Sequence, residues 1–228
     1  MSFPTISVTH SFNDSNAMSH VVTLPASISA GDLIFIWIGV DGAPALSGPG
    51  GWDIIISEHD GGGQTVDAMC VAKVMTGTEG GTTVTFTTDG NEQSSWIIGQ
   101  IPAATWYGSI DGIEGTKTDT STSDDSPDPP SHTATWGSAD NLWIACFAQD
   151  ALDTVSAYPY ADNNTTENTG KTSGATVGLC TYDTAAQETQ DPDTFTTSAT
   201  EQWITATLVI RPATVSGTTI VVPTGPWR

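Results

Sequence analysis

One apolar stretch occurs twice in this chain, and the repetition constrains the fold more than any other feature of the sequence. Residues 29–41 read SAGDLIFIWIGVD, and residues 138–150 read SADNLWIACFAQD. Leu33 and Leu142 are 109 residues apart (142 − 33 = 109). The same separation relates Asp41 to Asp150, Phe86 to Phe195, and Glu92-Gln93 to Glu201-Gln202. One offset shared by separated places predicts an internal repeat with little net insertion between its copies.

The repeated stretch predicts a buried central strand in each copy. Residues 33–40 are apolar at every position, and a short continuous apolar run rich in Ile and aromatic residues is typical of a strand covered on both faces. The β-branched content and the neighbouring Gly and Pro residues count against a buried helix. Residues 142–149 of the second copy carry the same prediction.

Shorter runs between turn-forming residues predict the remaining strands. Residues 5–10 and 19–24 predict two strands with a turn at Asn13–Asn16, and Asp89-Gly90 predicts a tight turn. Residues 158–170 predict a loop, and no segment has the pattern of an amphipathic helix. The other predicted strands cover residues 52–57, 65–75, 82–88, 94–101, 132–136, 175–183, 202–210 and 217–222.

These patterns predict an all-β fold, an antiparallel β-sandwich of a jelly-roll-like kind built from two tandem pseudo-repeats. The first repeat covers about residues 18–105 and the second about residues 132–213, with polar residues 115–131 between them as a linker or exposed loop. Each copy is too short to bury a large core alone. We therefore expect one pseudo-two-fold domain over residues 1–213 with a shared core, followed by a C-terminal arm, residues 214–228.

The chain is strongly acidic, because 26 Asp and Glu residues against five Lys and Arg residues give a formal net charge of −21. Affinity for nucleic acids and for anionic lipid surfaces depends on Lys and Arg. We therefore expect neither a nucleic-acid partner nor a membrane partner. Assembly would have to overcome the mutual repulsion by apolar burial, by cations or by a less acidic partner surface. A salt-adapted surface that recognises nothing is the alternative.

The three cysteines, Cys70, Cys146 and Cys180, lie inside apolar runs. Such residues behave as small buried hydrophobic side chains, and three of them predict no disulfide framework. The N-terminal residues lack the basic and apolar regions of a secretory signal, and no apolar run has the length of a membrane helix. We therefore expect a soluble protein that folds in a reducing cytoplasm.

The sequence contains no nucleophile elbow, phosphate-binding loop, Rossmann glycine signature, HExxH or paired CxxC motif. We therefore predict a protein without enzymatic activity. The alternative is a hydrolase that uses Glu92 or Glu201, which the repeat relates and which would have to lie about 5 to 9 Å apart. Among four scattered histidines, His59 is the strongest candidate for a metal ligand or base, because Glu58 and Asp60 flank it.

Two acidic loops are candidates for binding Ca²⁺, which takes several oxygen ligands. Neither loop has the spacing of an EF-hand or an RTX repeat, so solvated loops without a cofactor are favoured. The first loop contains Asp119, Asp124, Asp125 and Asp128, and the second contains Asp183, Asp191 and Asp193.

Aromatic residues outside the predicted strands are candidates for ligand contact, because amphipathic rings often bind sugars or proteins. Trp106 and Tyr107 follow the first repeat, and Tyr158 and Tyr160 lie in the loop of the second. Packing of these rings against the sheets is the alternative.

A set of short motifs extends over residues 22–213. They are Gly31-Asp32-Leu33, Asp41-Gly42-Ala43-Pro44, Gly51-Trp52, Val71–Val74 with Thr76–Gly80, and Glu201-Gln202-Trp203 with Val209–Ala213. Together they resemble a duplicated β-sandwich protein family of tailed-phage and prophage genomes. The first repeat departs from the pattern, because Ser94-Ser95 follows Gln93 where Trp203 follows Gln202. The resemblance implies a virion structural protein and carries over no catalytic residue.

We therefore predict a non-enzymatic structural or decorating component of a phage virion, on the capsid surface or the tail, assembled in the host cytoplasm. Its expected partners are copies of itself and other virion proteins, such as a major capsid or tail protein. The alternative is a carbohydrate-binding or host-surface adhesin module that uses the loop aromatics. The arm would add as a strand to a neighbouring subunit through Ile220, Val221 and Val222, with Trp227 and Arg228 as an anchor.

Overall fold

The computed structural model describes residues 2–42, 44–58, 66–119, 123–171 and 174–214. These residues form β-structure almost throughout, with one 3₁₀ turn at Ile110–Gly112, so the predicted all-β antiparallel fold is confirmed. The strands are β1 (Ser7–Thr23), β2 (Leu33–Asp41), β3 (Asp53–Glu58), β4 (Val66–Val74), β5 (Thr83–Ile101), β6 (Ile113–Asp119), β7 (His132–Thr133), β8 (Ala139–Asp150), β9 (Val155–Ala157), β10 (Asp162–Asn168), β11 (Ala175–Gln187), β12 (Thr189–Gln190), β13 (Thr196–Thr197) and β14 (Trp203–Ile210).

The longer strands form two five-stranded antiparallel sheets. The first sheet has the order β1-β5-β2-β4-β3, and the second has the order β6-β14-β8-β11-β10. Each sheet comes from one half of the chain, which differs from the expected jelly-roll-like connectivity, where strands of the two sheets interleave along the chain. When the strands of each half are counted along the chain, both sheets have the order first, fifth, second, fourth, third. A repeat predicts this shared order, and the duplication itself stays a prediction.

The two sheets pack face to face. β2 packs against β8, which the 109-residue offset makes its counterpart. β1 faces β10, and β3 faces β6. Since β6 is the counterpart of β1 and β10 that of β3, the two edge contacts are exchanged copies of each other, as a two-fold axis between the sheets requires.

One hydrophobic core lies between the sheets and draws on both halves of the chain. Odd-numbered side chains of β2, from Leu33 to Trp37, pack there against β8, β11 and β14. Two hydrogen bonds cross the interface: Trp37 Nε1 donates to the carbonyl oxygen of Phe147 at 2.8 Å, and Ser95 Oγ donates to that of Ala175 at 2.6 Å. The sheets therefore share their core.

Loops cover the outer face of each sheet. Even-numbered side chains of β2, from Ile34 to Val40, are buried in a second cluster to which Trp52 contributes. On the second sheet, Phe147 packs against Phe195 with ring centroids 4.8 Å apart. The central strands β2 and β8 are therefore buried on both faces, as their continuous apolar sequences predict.

Two predicted turns are wrong, because each lies inside a long continuous strand. β1 runs through Asn13–Asn16, and its pairing with β5 shifts register between Asn13 and Ala17. β5 runs through Asp89-Gly90 without reversing. A β-bulge accommodates the same Asn, Asp and Gly residues as a turn, so the local sequence does not distinguish the two structures.

Two strands lie where the sequence predicts loops. β6 includes residues 115–119 of the predicted linker and pairs with β14. β10 lies inside the predicted loop, residues 158–170, and pairs with β11. Both are polar edge strands, so they lack the hydrophobic alternation by which half-buried strands are recognised.

Two glutamates form contacts between the sheets at opposite edges of the sandwich. Glu58 of β3 forms an ion pair with Lys117 of β6. Glu167 of β10 contacts His10 of β1, with Oε2 2.6 Å from Nδ1. The 109-residue offset relates Glu58 to Glu167, and each of the two edge contacts contains one of these carboxylates.

Candidate functional site

The first sheet ends at β1, a 17-residue strand that pairs on one side with β5. Within the described residues, no strand pairs with its other side. An open edge of this kind is a template for the addition of another strand. Phe12, Met18 and Val21 of β1 are 43%, 50% and 49% exposed. Apolar surface therefore accompanies the open edge.

The other edges of the sandwich are shorter. β3 has six residues and one exposed large apolar side chain, Ile54. β6 and β10 have seven residues each, with no exposed large apolar side chain among those described. β1 is therefore the strongest candidate for an interface on the described surface.

The described chain ends beside the start of β1. The backbone N–H of Ala213 donates to the carbonyl oxygen of Thr105 at 3.2 Å, and the backbone N–H of Thr5 donates to Thr105 Oγ1 at 3.3 Å. The chain therefore leaves the described fold next to the first residues of β1. The predicted anchor residues of the arm lie outside the described residues: Ile220, Val221, Val222, Trp227 and Arg228.

The structure separates the first two predicted loop aromatics. Trp106 is 2% exposed and belongs to the shared core, where its Nε1 donates to the carbonyl oxygen of Gly31 at 3.0 Å. This burial contradicts the ligand-contacting position predicted for it. Tyr107 is exposed, and the guanidinium carbon of Arg211 lies 4.1 Å from its ring centroid. A cation–π contact therefore occupies one face of the Tyr107 ring.

Tyr158 is held against the outer face of the second sheet. Its ring makes an edge contact with Phe195, with centroids 5.9 Å apart. Its hydroxyl lies 2.5 Å from Thr166 Oγ1. Packing and a hydrogen bond thus account for Tyr158 without a ligand.

Tyr160 and Tyr182 form a stacked pair beside a cavity of ≈ 470 Å³, with ring centroids 5.2 Å apart and an interplanar angle of 18°. Tyr182 is 39% exposed. Burial raises the pKa of the Tyr160 hydroxyl above its usual range, so this group stays protonated. Aromatic faces with a few polar groups around them suit a small polar ligand. The polar groups that line the cavity belong to Gln187, Gln190, Asp191 and Asp193.

Tyr182 was not among the aromatic residues that the sequence singles out, because it lies in strand β11 rather than in a loop. The alternation of side chains along β11 nevertheless indicates which face of the sheet Tyr182 lies on. Cys180 and Tyr182 have the same parity, and Cys180 is buried in the cluster on the outer face of the second sheet. Tyr182 therefore follows Cys180 onto that face, beyond the cover of the loops.

The two predicted acidic loops converge at Asp128. Burial and then the carboxylates of Asp191, Asp124 and Asp193 raise the pKa of Asp128. Asp124 also accepts a hydrogen bond from Trp203 Nε1 at 2.9 Å. Within the described residues, no group of three or more His, Cys, Asp or Glu side chains is arranged to hold a metal ion. Calcium binding stays a prediction.

Asp183, from the second acidic loop of the prediction, lies apart from this group. Burial and then the carboxylate of Asp162 raise its pKa. Both residues line another cavity of ≈ 410 Å³, next to Thr5 and Leu142. The residues of the second predicted acidic loop are thus divided between two places.

Glu92 and Glu201 lie in different surroundings. Burial and then the carboxylates of Asp41 and Asp89 raise the pKa of Glu92. The backbone of Glu201 instead forms a bridge with Asp124, with N···O distances of 3.2 Å in both directions. Each glutamate thus has local contacts of its own at the end of its repeat.

Asp41 and Asp150 are repeat-related residues that do meet. Their side chains are hydrogen-bonded, and burial raises the pKa of Asp41. A carboxyl group with a raised pKa can hold the proton that a bond between two carboxyl groups requires. The pair lies at the ends of β2 and β8 and joins the two sheets.

The described histidines have structural contacts. His20 is fully buried, with Nδ1 2.8 Å from Ser94 Oγ and Nε2 3.1 Å from Thr88 Oγ1. Burial lowers the pKa of His20 and so favours the neutral ring. His59, the candidate from the sequence, lies outside the described residues.

Two motifs that carry the family resemblance stabilise turns. Asp32 accepts hydrogen bonds from the backbone N–H groups of Ser29 and Ala103 at 2.9 and 3.0 Å. Glu79 accepts from the backbone N–H groups of residues 76–78. These bonds lower the pKa of Glu79 to about 2. Both motifs therefore have a structural role in these turns.

The three cysteines, Cys70, Cys146 and Cys180, are free and buried, as predicted. Burial raises the pKa of all three thiols, that of Cys180 to about 12. The thiolate is the nucleophile and the metal ligand, so these residues act as core side chains.

Comparison with known proteins adds no identification, because the chain matches no protein-family model, no curated protein and no solved structure. In the described part of the chain, no helix has the length and apolar character to cross a lipid bilayer. The described residues form a β-sandwich with a long open edge at β1 and an aromatic cavity beside Tyr160 and Tyr182.

Proposed function

We propose that this protein is a non-enzymatic structural or decorating component of a tailed-phage particle, held in place by contacts with neighbouring subunits. The observation that carries the proposal is the open 17-residue edge of β1 with exposed Phe12, Met18 and Val21. The motif resemblance and the assembly in a reducing cytoplasm that the sequence predicts are consistent with it.

Apart from the register shift near Asn13, the edge of β1 lacks the features with which proteins protect open strands. Such edges are usually short, covered, or interrupted by Lys or Pro. β1 is long and contains no Lys or Pro, and Asp14 is its one carboxylate. The remaining acidic surface opposes contact between subunits elsewhere. Contact through β1 avoids most of that repulsion, which suits attachment to a neighbour in a particle.

Incorporation into particles tests this proposal. Full-length chain and a variant that lacks residues 214–228 are produced with a tag in cells that assemble the particle, and purified particles are analysed. We expect full-length protein in the particles and a folded truncated protein that stays in the lysate. Unimpaired incorporation of the truncated protein would contradict attachment through the arm.

A second candidate function is carbohydrate binding at the cavity beside Tyr160 and Tyr182. The observation that favours it is the exposed ring of Tyr182 next to the amide and carboxylate groups of Gln190, Asp191 and Asp193. A sugar ring can pack on such an aromatic face while its hydroxyls bond to the polar groups. An adhesin in a particle would use both this cavity and the β1 edge.

A glycan array with Tyr182→Ala tests the second candidate. We expect binding by the wild-type chain, and at least about a tenfold loss in the variant, because the substitution removes the exposed ring. Tyr107→Ala is the matched control, since it removes another exposed tyrosine far along the chain from the cavity. A silent array with wild-type protein would contradict carbohydrate binding.

A further inference from the structure

We propose that two copies of this chain exchange their C-terminal segments, so that residues 215–228 of each copy add as a strand to the β1 edge of the other. The inference rests on the proposed attachment role and names its acceptor site and its partner. Four features of the chain carry it: the open edge, the place where the chain leaves the fold, the charge of both surfaces and the strand directions.

The segment starts beside its acceptor. Ala213 and Thr5 both bond to Thr105, and β1 begins two residues after Thr5. Residues 217–222 read GTTIVV, a β-branched run suited to an added strand. The segment therefore follows a residue that lies near the Ser7 end of β1.

The β1 edge and the segment both have few carboxylates, in a chain with a net charge of −21. Residues 215–228 contain no Asp or Glu, and Arg228 is their one charged side chain. The single carboxylate of β1, Asp14, has its Oδ2 3.8 Å from Lys171 Nζ. Pairing of these surfaces therefore brings two acidic chains together where their repulsion is smallest.

The direction of the strands favours pairing of the segment with β1 of a second copy over pairing with β1 of its own chain. A segment that enters at the Ser7 end of its own β1 would run parallel to it, whereas every strand pair of both sheets is antiparallel. To pair antiparallel with its own β1, it would first have to pass the whole strand. That strand is 17 residues long, or about 55 Å at about 3.3 Å per residue.

A second copy removes the need for that passage. In a two-fold dimer with antiparallel β1 strands, each segment begins near the Thr23 end of the partner's β1 and runs antiparallel to it. The exchange is then reciprocal, as an isologous interface requires.

The mass of the full-length chain in solution tests the exchange, by light scattering after size-exclusion chromatography and by native mass spectrometry. We expect a dimer. Val221→Pro in the segment and Met18→Asp on β1 should each raise the dimer dissociation constant at least about tenfold, because they remove backbone hydrogen bonds or place a charge in the interface. Ile54→Asp is the matched control, because Ile54 is an exposed apolar residue on the opposite edge strand, β3; it should leave the dimer intact.

A synthetic peptide of residues 214–228 provides a second measurement that does not depend on how the β1 variant folds. It should bind the chain that lacks residues 215–228 with one peptide per chain, and it should dissociate the full-length dimer. A monomeric full-length chain, or a dimer that persists in Val221→Pro, would overturn the exchange. If such a chain still enters particles, the particle role stands and only the exchange fails.

Discussion

At the scale of single residues, burial decides what an aromatic side chain does. Trp106 fills the shared core and Tyr107 lies on the surface, although they are neighbours in sequence. We expect Trp106→Ala to lower the free energy of unfolding by about 3–5 kcal/mol, the usual cost of removing a buried large aromatic side chain. Tyr107→Ala should cost less than about 1 kcal/mol, since it removes one exposed cation–π contact. Urea unfolding measures both, and equal losses would contradict the assignment.

The raised pKa of Glu92 predicts that the effect of this residue on stability depends on pH. Burial and neighbouring carboxylates raise its pKa in the folded state, so the folded protein holds its proton more tightly than the unfolded chain. The charged form therefore destabilises the fold at neutral pH, and this cost disappears as the pH falls through the folded pKa towards about 4. We expect Glu92→Gln to melt higher than the wild type at pH 7, with a difference that shrinks towards pH 4. A difference independent of pH would contradict this account.

The residue scale also shows where sequence reasoning stops. Trp106 is flanked by small and polar residues, and its hydrogen-bond partner Gly31 is 75 residues away. No local pattern contains that contact. Glu79 and Asp32 belong to recognisable motifs, but the backbone bonds that explain them exist only in the folded turns. The types of these residues could be read from the sequence, whereas their partners could not.

At the scale of elements, an aromatic ring covers a glycine on the neighbouring strand. Phe35 of β2 lies opposite Gly99 of β5, and a Cβ atom on Gly99 would overlap its ring. We expect Gly99→Ala to destabilise the protein by about 1–3 kcal/mol, because the ring must move in a packed core. Gly50→Ala is the control, since nothing lies within 4 Å of its Cβ position. Denaturant unfolding compares the two, and a Gly99→Ala protein as stable as the control would contradict the packing.

The strands that the sequence does not predict, such as β10, lack the alternation between apolar and polar residues. The continuous apolar runs of β2 and β8 predict these strands, which are buried on both faces. The polar residues of β10 predict a loop, whereas the 109-residue offset maps β3 onto residues 162–167 and so indicates a strand there. The turn predicted within β1 failed for another reason, since bulges and turns share their residues.

At the scale of the whole molecule, the shared core makes the two sheets one cooperative unit. Side chains from both sheets fill it, and hydrogen bonds from Trp37 and Ser95 cross it. We therefore expect Leu208→Ala, a core change in the second sheet, to increase hydrogen exchange in β4 of the first sheet as much as in β11. Mass spectrometry of the exchanged peptides measures this, and a β4 that stays protected would show two independent domains.

The proposed role in a particle involves the molecule as a whole, because the acidic surface, the sandwich and the β1 edge would act together. A quantitative mass-spectrometric inventory of purified particles, from cells that carry this gene, tests that role most directly. The account predicts the full chain in the particles at a fixed ratio to the major structural protein. Its absence from the particles, with the chain recovered only from the surrounding lysate, would contradict the account.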